Sequence, residues 1–192
     1  MAQSHQIETD IEMPTIYTIG HSNLSINIFI DLLLRKEINF LVDVRSSPYS
    51  KYNPQFNREA IKKTLQDAEI KYYFAGDSLG GRPKDPDCYK DKILPGDSAD
   101  YLHLVDYKTV MTKEFFQNGI EKINKLSKEG RIALMCSEGD PTKCHRHHLI
   151  GNYLVKQGIN VIHILSDGNE VNDKQLGDLS EDQQAEQLKL DF

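Results

Sequence analysis

Five short apolar runs constrain this chain more than any other feature: IYTIG (16–20), NFLVDV (39–44), IKYYF (70–74), RIALMC (131–136) and NVIHIL (160–165). Each has the length and composition of a buried strand, and stretches with helical spacing fall between them. The first such stretch aligns Ile26, Phe29, Ile30, Leu33 and Leu34. A second, opened by Asn57 as N-cap, would bury Ala60, Ile61, Leu65 and Ala68. A third carries Phe115, Phe116, Ile120, Ile123 and Leu126 up to Gly130, and a last helix is predicted from about Asp140 to Gln157, stopped by Gly158. Parallel neighbours need long crossover connections, which these helices supply. The alternation predicts an α/β fold with a mostly parallel sheet of about five strands and helices on both faces.

A chain of 192 residues holds one substantial core. We read residues 14–166 as a single α/β domain, 1–13 as a flexible arm and 167–192 as an acidic, disordered tail. The stretch 82–107, rich in Gly, Pro and Asp and without a period, is predicted to be a long loop over the active face. A net charge of −6 argues against a broad basic surface wrapped by a nucleic-acid backbone, while leaving room for a small basic pocket. No run approaches the roughly 18 apolar residues that span a bilayer, and the first residues carry no apolar signal core. The expectation is a cytoplasmic protein without a membrane partner. Three cysteines in such a chain are expected as free thiols.

Three segments carry chemistry, and each begins where a predicted strand ends: TIGHS, DVRSSPYS and CSEGDPTKCHR. Ligands of parallel α/β sheets bind beyond the carboxyl ends of the strands, so the three should converge on one site. In the third, Asp140 and Pro141 suit a helix start, and stepping back four residues from Leu149 and Ile150 aims His145 and Arg146 inward. By the same count His147 and His148 turn toward solvent or a flank. Arg146 would bind an anion or pair with Asp43 or Glu138, and Arg45 would hold an anion or close a salt bridge with Asp43. Asp43, Glu138, His21 and His145 are the candidate catalytic acids and bases. Ser22, Ser46 and Cys136 sit where they could touch a substrate.

Cys136 reads either as a buried small residue or as a thiol activated by His145, Arg146 or the helix end. The phosphatase loop, which needs an arginine six residues after the cysteine, is absent because Thr142 stands there. Cys136, Cys144 and His145 form a conceivable metal site whose spacing is not that of a zinc finger. The residues specify no cofactor.

Over about Ile16 to Leu165 the chain resembles the bacterial family named domain of unknown function 488 (DUF488). The resemblance rests on TIGHS, on DVR with Pro48, on Leu79–Gly80–Gly81, and on the pieces between Cys136 and Arg146. It implies a Rossmann-like three-layer sandwich and a shared polar site that includes Gly80 and Gly81. The last six residues, Gln187 to Phe192, are similar to peptides that dock on the DNA sliding clamp, which would link the chain to DNA metabolism; the alternative is an amphipathic tail that folds back on its own domain. The functional expectation is a hydrolase acting on a phosphate-bearing substrate, either a nucleotide or a nucleic-acid end or base. A non-catalytic sensor of a nucleotide or modified base and a metal-dependent enzyme are the alternatives.

Overall fold

The computed structural model describes residues 14–96 and 99–176. In chain order the elements are β1 (Thr15–Gly20), α1 (Ile26–Arg35), β2 (Phe40–Asp43), α2 (Arg58–Asp67), β3 (Lys71–Phe74), α3 (Gly76–Leu79), α4 (Tyr101–Leu104), α5 (Tyr107–Thr112), α6 (Glu114–Leu126), β4 (Ile132–Cys136), α7 (Asn152–Lys156), β5 (Asn160–Ile164) and β6 (Glu170–Asn172). They form one sheet of six strands in the order β3-β2-β4-β1-β5-β6, parallel throughout except for β6, which runs antiparallel to β5.

Alternation along β4 shows why helices cover both faces. Ile132, Leu134 and Cys136 pack with Phe116, Ile120 and Ile123 of α6 and with Leu149, Ile150 and Leu154. Ala133 and Met135 face the opposite layer, where Phe29, Leu32 and Leu33 of α1 meet Ile61 and Leu65 of α2. A strand buried on both sides must be apolar at nearly every position, and β4 is. The result is a three-layer α/β sandwich.

Strand order fixes where a ligand can bind. The connection leaving β1 runs through α1 to β2, whereas the one leaving the adjacent β4 runs through α7 to β5 on the other side of β1. Two neighbouring strands whose connections depart in opposite directions leave a crevice at their carboxyl ends. The crevice in this sheet therefore opens beyond Gly20 and Cys136.

Two expectations change on contact with the structure. The sheet gains a sixth strand because the segment read as the start of a disordered tail is folded: Glu170 and Asn172 pair with Ile164 and Ile162, and Asp173 is buried. EVN is too short and polar to announce a strand by pattern. The helix predicted from Asp140 to Gln157 is a 3₁₀ turn at Pro141–Lys143, a π-helix over Arg146–Gly151 and then α7. Its wider turns break the four-residue count, and His147 and His148 are buried instead of facing solvent. The 82–107 loop is pinned: Tyr89 bridges to Val105, its hydroxyl donates to the Pro83 carbonyl at 2.7 Å, and Lys113 holds Asp85 at 2.6 Å.

Among the described residues no helix is long and apolar enough to cross a membrane. The arm 1–13 and the Gln187 to Phe192 motif lie outside the described residues.

Candidate functional site

The ends of β2, β4 and β1 are neighbours, so the three chemistry-bearing segments meet at one edge. His21 N–H donates to the Cys136 carbonyl at 3.0 Å and Ser22 N–H to the Ser137 carbonyl at 2.8 Å, while Val44 N–H reaches the Met135 carbonyl at 3.0 Å. Gly20 is required here, because a Cβ at that position would collide with the Glu138 carbonyl.

At the end of β2, residues two apart project to one side. Asp43 and Arg45 form a bidentate ion pair, with Arg45 Nη2 at 2.6 Å and Nε at 2.9 Å from the two carboxylate oxygens, and Tyr72 donates to the same carboxylate at 2.8 Å. Arg45 Nη2 also reaches the Phe56 carbonyl at 2.8 Å, and Nη1 lies 3.2 Å from His21 Nε2. A guanidinium only donates, so His21 Nε2 accepts and its Nδ1–H must go to the Ser22 carbonyl, 2.8 Å away. Burial against Phe56, on which His21 stacks at 4.3 Å, keeps the imidazole pKa below its usual range and the ring neutral. Asp43 and His21, expected as acid and base, thus spend their polar atoms holding Arg45. Arg45 lines the cleft, but its guanidinium is tied to the protein and not left for an anion. The salt-bridge alternative describes this pair.

Arg146 departs further from expectation. It is fully buried, with Nη1 donating to Thr18 Oγ1 at 3.0 Å and Nη2 to the carbonyls of Glu138 and Gly139 at 3.0 and 2.6 Å. Its charge clamps the loop after β4 from beneath and does not line the cleft. The π-helix that buries the whole segment turns this side chain into the fold.

The cleft occupies about 360 Å³ beyond the strand ends. Cys136, Cys144 and His145 lie at its buried side; Glu138, Lys143 and Arg82 are exposed at its margin; Tyr49, Tyr101 and Tyr107 supply aromatic walls. Arg82 stacks over Tyr101 at 4.5 Å. Gly80 and Gly81 let the neighbouring loop approach, since a Cβ on Gly81 would come within 2.7 Å of the His145 ring and one on Gly80 would strike the Ser46 hydroxyl. That hydroxyl accepts the Arg82 N–H at 2.9 Å. Ser22 sits at φ 45 on the β1 side of the loop, with its side chain where a Cβ on Gly139 would touch it.

His145 is oriented by its Nε2, which donates to the Val44 carbonyl at 3.1 Å. The other nitrogen, Nδ1, lies 3.8 Å from Cys136 Sγ and 3.7 Å from Cys144 Sγ. A hydrogen bond from Cys144, together with the nearby His145 and Arg146, holds the Cys136 thiol well below its ordinary pKa, whereas burial and the adjoining Cys136 push Cys144 well above. One shared contact therefore drives the two thiols in opposite directions.

A second cluster stands two residues further on. Asp173 Oδ1 accepts from His147 Nδ1 and His163 Nε2, both at 2.8 Å, and His163 Nδ1 lies 2.6 Å from Thr18 Oγ1. With the His163 Nε2 hydrogen given to Asp173, Nδ1 accepts from the Thr18 hydroxyl, which itself accepts from Arg146, so the bonds run unbroken from Arg146 Nη1 to His147. Sequence reasoning missed Thr18, His163 and Asp173. A histidine inside the strand NVIHIL was the one available signal, since a buried imidazole needs a partner. Each cluster brings three potential ligand atoms within 4.8 Å of one another.

A family model described as Domain of unknown function DUF488 matches residues 25–153. The chain belongs to that family. The DUF488 match covers β2, β4 and the Cys136, Cys144 and His145 cluster, and stops short of β1 on one side and of His163 and Asp173 on the other. Neither a curated protein nor a solved structure matches the chain.

Proposed function

We propose that this protein is a hydrolase acting on a phosphate-bearing substrate, either a nucleotide or a nucleic-acid end or base. The observation that carries the reading is the composition of one cleft: two thiols and an oriented imidazole at its buried side, with an exposed glutamate and two exposed cations at its margin. Arg82 and Lys143 supply charge for a phosphate, and the tyrosines offer faces on which a base can stack.

Glu138 is the group free to move protons, because Asp43 and His21 are committed to Arg45. As general base it takes one proton from a water; the water oxygen bonds to the electrophilic centre; the bond to the leaving group breaks; the proton then passes from Glu138 to that group. His145 stays in place through Val44 and meets the thiols with its other nitrogen.

The test is turnover by purified protein on nucleoside phosphates and short oligonucleotides. Replacing Glu138 with Gln is expected to lower the rate by about 10²–10⁴-fold, the usual range for a positioned proton-transfer group, with an unchanged melting temperature because the side chain is exposed. Wild-type activity in both Glu138→Gln and His145→Ala would overturn the reading. Tight binding without turnover would assign the cleft to a sensor instead.

A further inference from the structure

We propose that Cys136, Cys144 and His145 are the three protein ligands of a zinc ion whose fourth position faces the cleft. The role given to that ion rests on the hydrolytic reading above; the metal site itself does not.

Spacing is the first argument. Zinc sits about 2.3 Å from a thiolate and about 2.0–2.1 Å from an imidazole nitrogen, so a tetrahedral centre spaces its sulfur and nitrogen ligands about 3.6 Å apart and its two sulfurs about 3.8 Å apart. His145 Nδ1 lies 3.8 and 3.7 Å from the two sulfurs, and all three atoms fall within 4.8 Å of one another. Side chains from two places in the chain, the end of β4 and the turn after Pro141–Lys143, converge to make this triangle.

The surroundings supply the second argument. A metal-binding histidine characteristically donates its other ring N–H to a carbonyl or carboxylate, which fixes the tautomer. The 3.1 Å bond from His145 Nε2 to Val44 does this and leaves the Nδ1 lone pair toward the sulfurs. Arg146 N–H approaches Cys144 Sγ at 3.5 Å, a contact that favours thiolate. Two sulfurs with one imidazole select zinc over magnesium or calcium, which take oxygen ligands.

All three ligands line the cleft, as does Glu138, two residues after Cys136. Three ligands with one position left for water distinguish catalytic zinc from a closed structural site. Zinc lowers the pKa of such a water, and a neighbouring glutamate that is not a ligand can accept the proton and return it to the leaving group.

Metal content of the full chain, purified under reducing conditions without chelator, decides the proposal. About one zinc per chain is expected, falling at least tenfold in Cys144→Ser and in His145→Ala, and retained in Glu138→Gln. Cobalt added to stripped wild-type protein is expected to produce a thiolate-to-cobalt charge-transfer band, a readout that needs no variant to fold. Less than a tenth of an equivalent after zinc incubation and dialysis, absence of that band, or wild-type binding in the ligand variants would overturn the assignment. Turnover by thoroughly stripped protein would overturn the catalytic role given to the zinc while sparing the hydrolase reading; bound zinc without turnover on any substrate would overturn the hydrolase reading while sparing the metal site.

Discussion

Two clusters, one reached through His145 and the other through His147, are built on opposite logic. Around Asp173 every distance is that of a short hydrogen bond, 2.6–2.8 Å between Thr18, His163, Asp173 and His147, and no member lines the cleft. Around His145 the sulfur–nitrogen separations are 3.7–3.8 Å, and all three members border the cleft. The first arrangement has its protons placed and satisfied, which makes it a lock; the second leaves lone pairs converging on a point, which makes it a receptor. Ligand-type residues alone do not separate the two. Distance and access do.

That contrast is broken most directly at Asp173. Replacing it with Ala leaves two buried imidazoles without their acceptor and frees the β6 segment, so a loss of about 3–5 kcal/mol is expected in denaturant unfolding. A loss under about 1 kcal/mol would mean that this cluster does not lock the fold. Arg146→Met comes next: it strands the carbonyls of Glu138 and Gly139 and the Thr18 hydroxyl, at a cost of about 1–3 kcal/mol, and is expected to raise hydrogen exchange in the loop after β4. Unchanged exchange there would remove the clamp. By contrast, Cys136→Ala in metal-stripped protein is expected to cost only about 1 kcal/mol, since the side chain is small and its sulfur contacts are long. If it destabilises as much as the Asp173 variant, the two clusters are alike and the distinction fails.

The mildest test is acid. Burial lowers the pKa of His163 and of His21, so each binds fewer protons when folded than when unfolded. Stability should therefore be full above the ordinary histidine value near 6.5 and decline as pH falls through it toward the depressed folded values. Asp173, whose carboxyl is held below its usual range because bonds from His147 and His163 outweigh its burial, keeps its contribution until pH falls below about 4. Melting temperatures between pH 7.5 and 5.5 that stay flat or rise on acidification would contradict this.

Much of the site was legible before the structure. The convergence of TIGHS, DVRSSPYS and CSEGDPTKCHR follows from strand ends and parallel topology, and those are carried by hydrophobic runs that sequence displays openly. What stayed hidden was allegiance. Whether Arg45 and Arg146 hold a ligand or hold the fold depends on which carbonyls and carboxylates come within 3 Å, and no periodicity encodes that. Counting in fours failed across residues 146–151 because the turns there are wider than α. Asp173 was invisible because EVND looks like any polar tail, although Gly151 is shaped for it: a Cβ there would strike the Asp173 carboxylate.

The π-helix over Arg146–Gly151 makes spacing itself a functional property of this polypeptide. An α-helix advances about 100° per residue. Removing a single residue between His145 and β5 would let the turn tighten to ordinary pitch and rotate everything upstream by that amount, swinging the imidazole off Val44 and the guanidinium off its carbonyls together. Such a deletion would keep every motif intact when the letters are read, and yet dismantle the centre; length in this interval deserves the same scrutiny as identity when related chains are aligned.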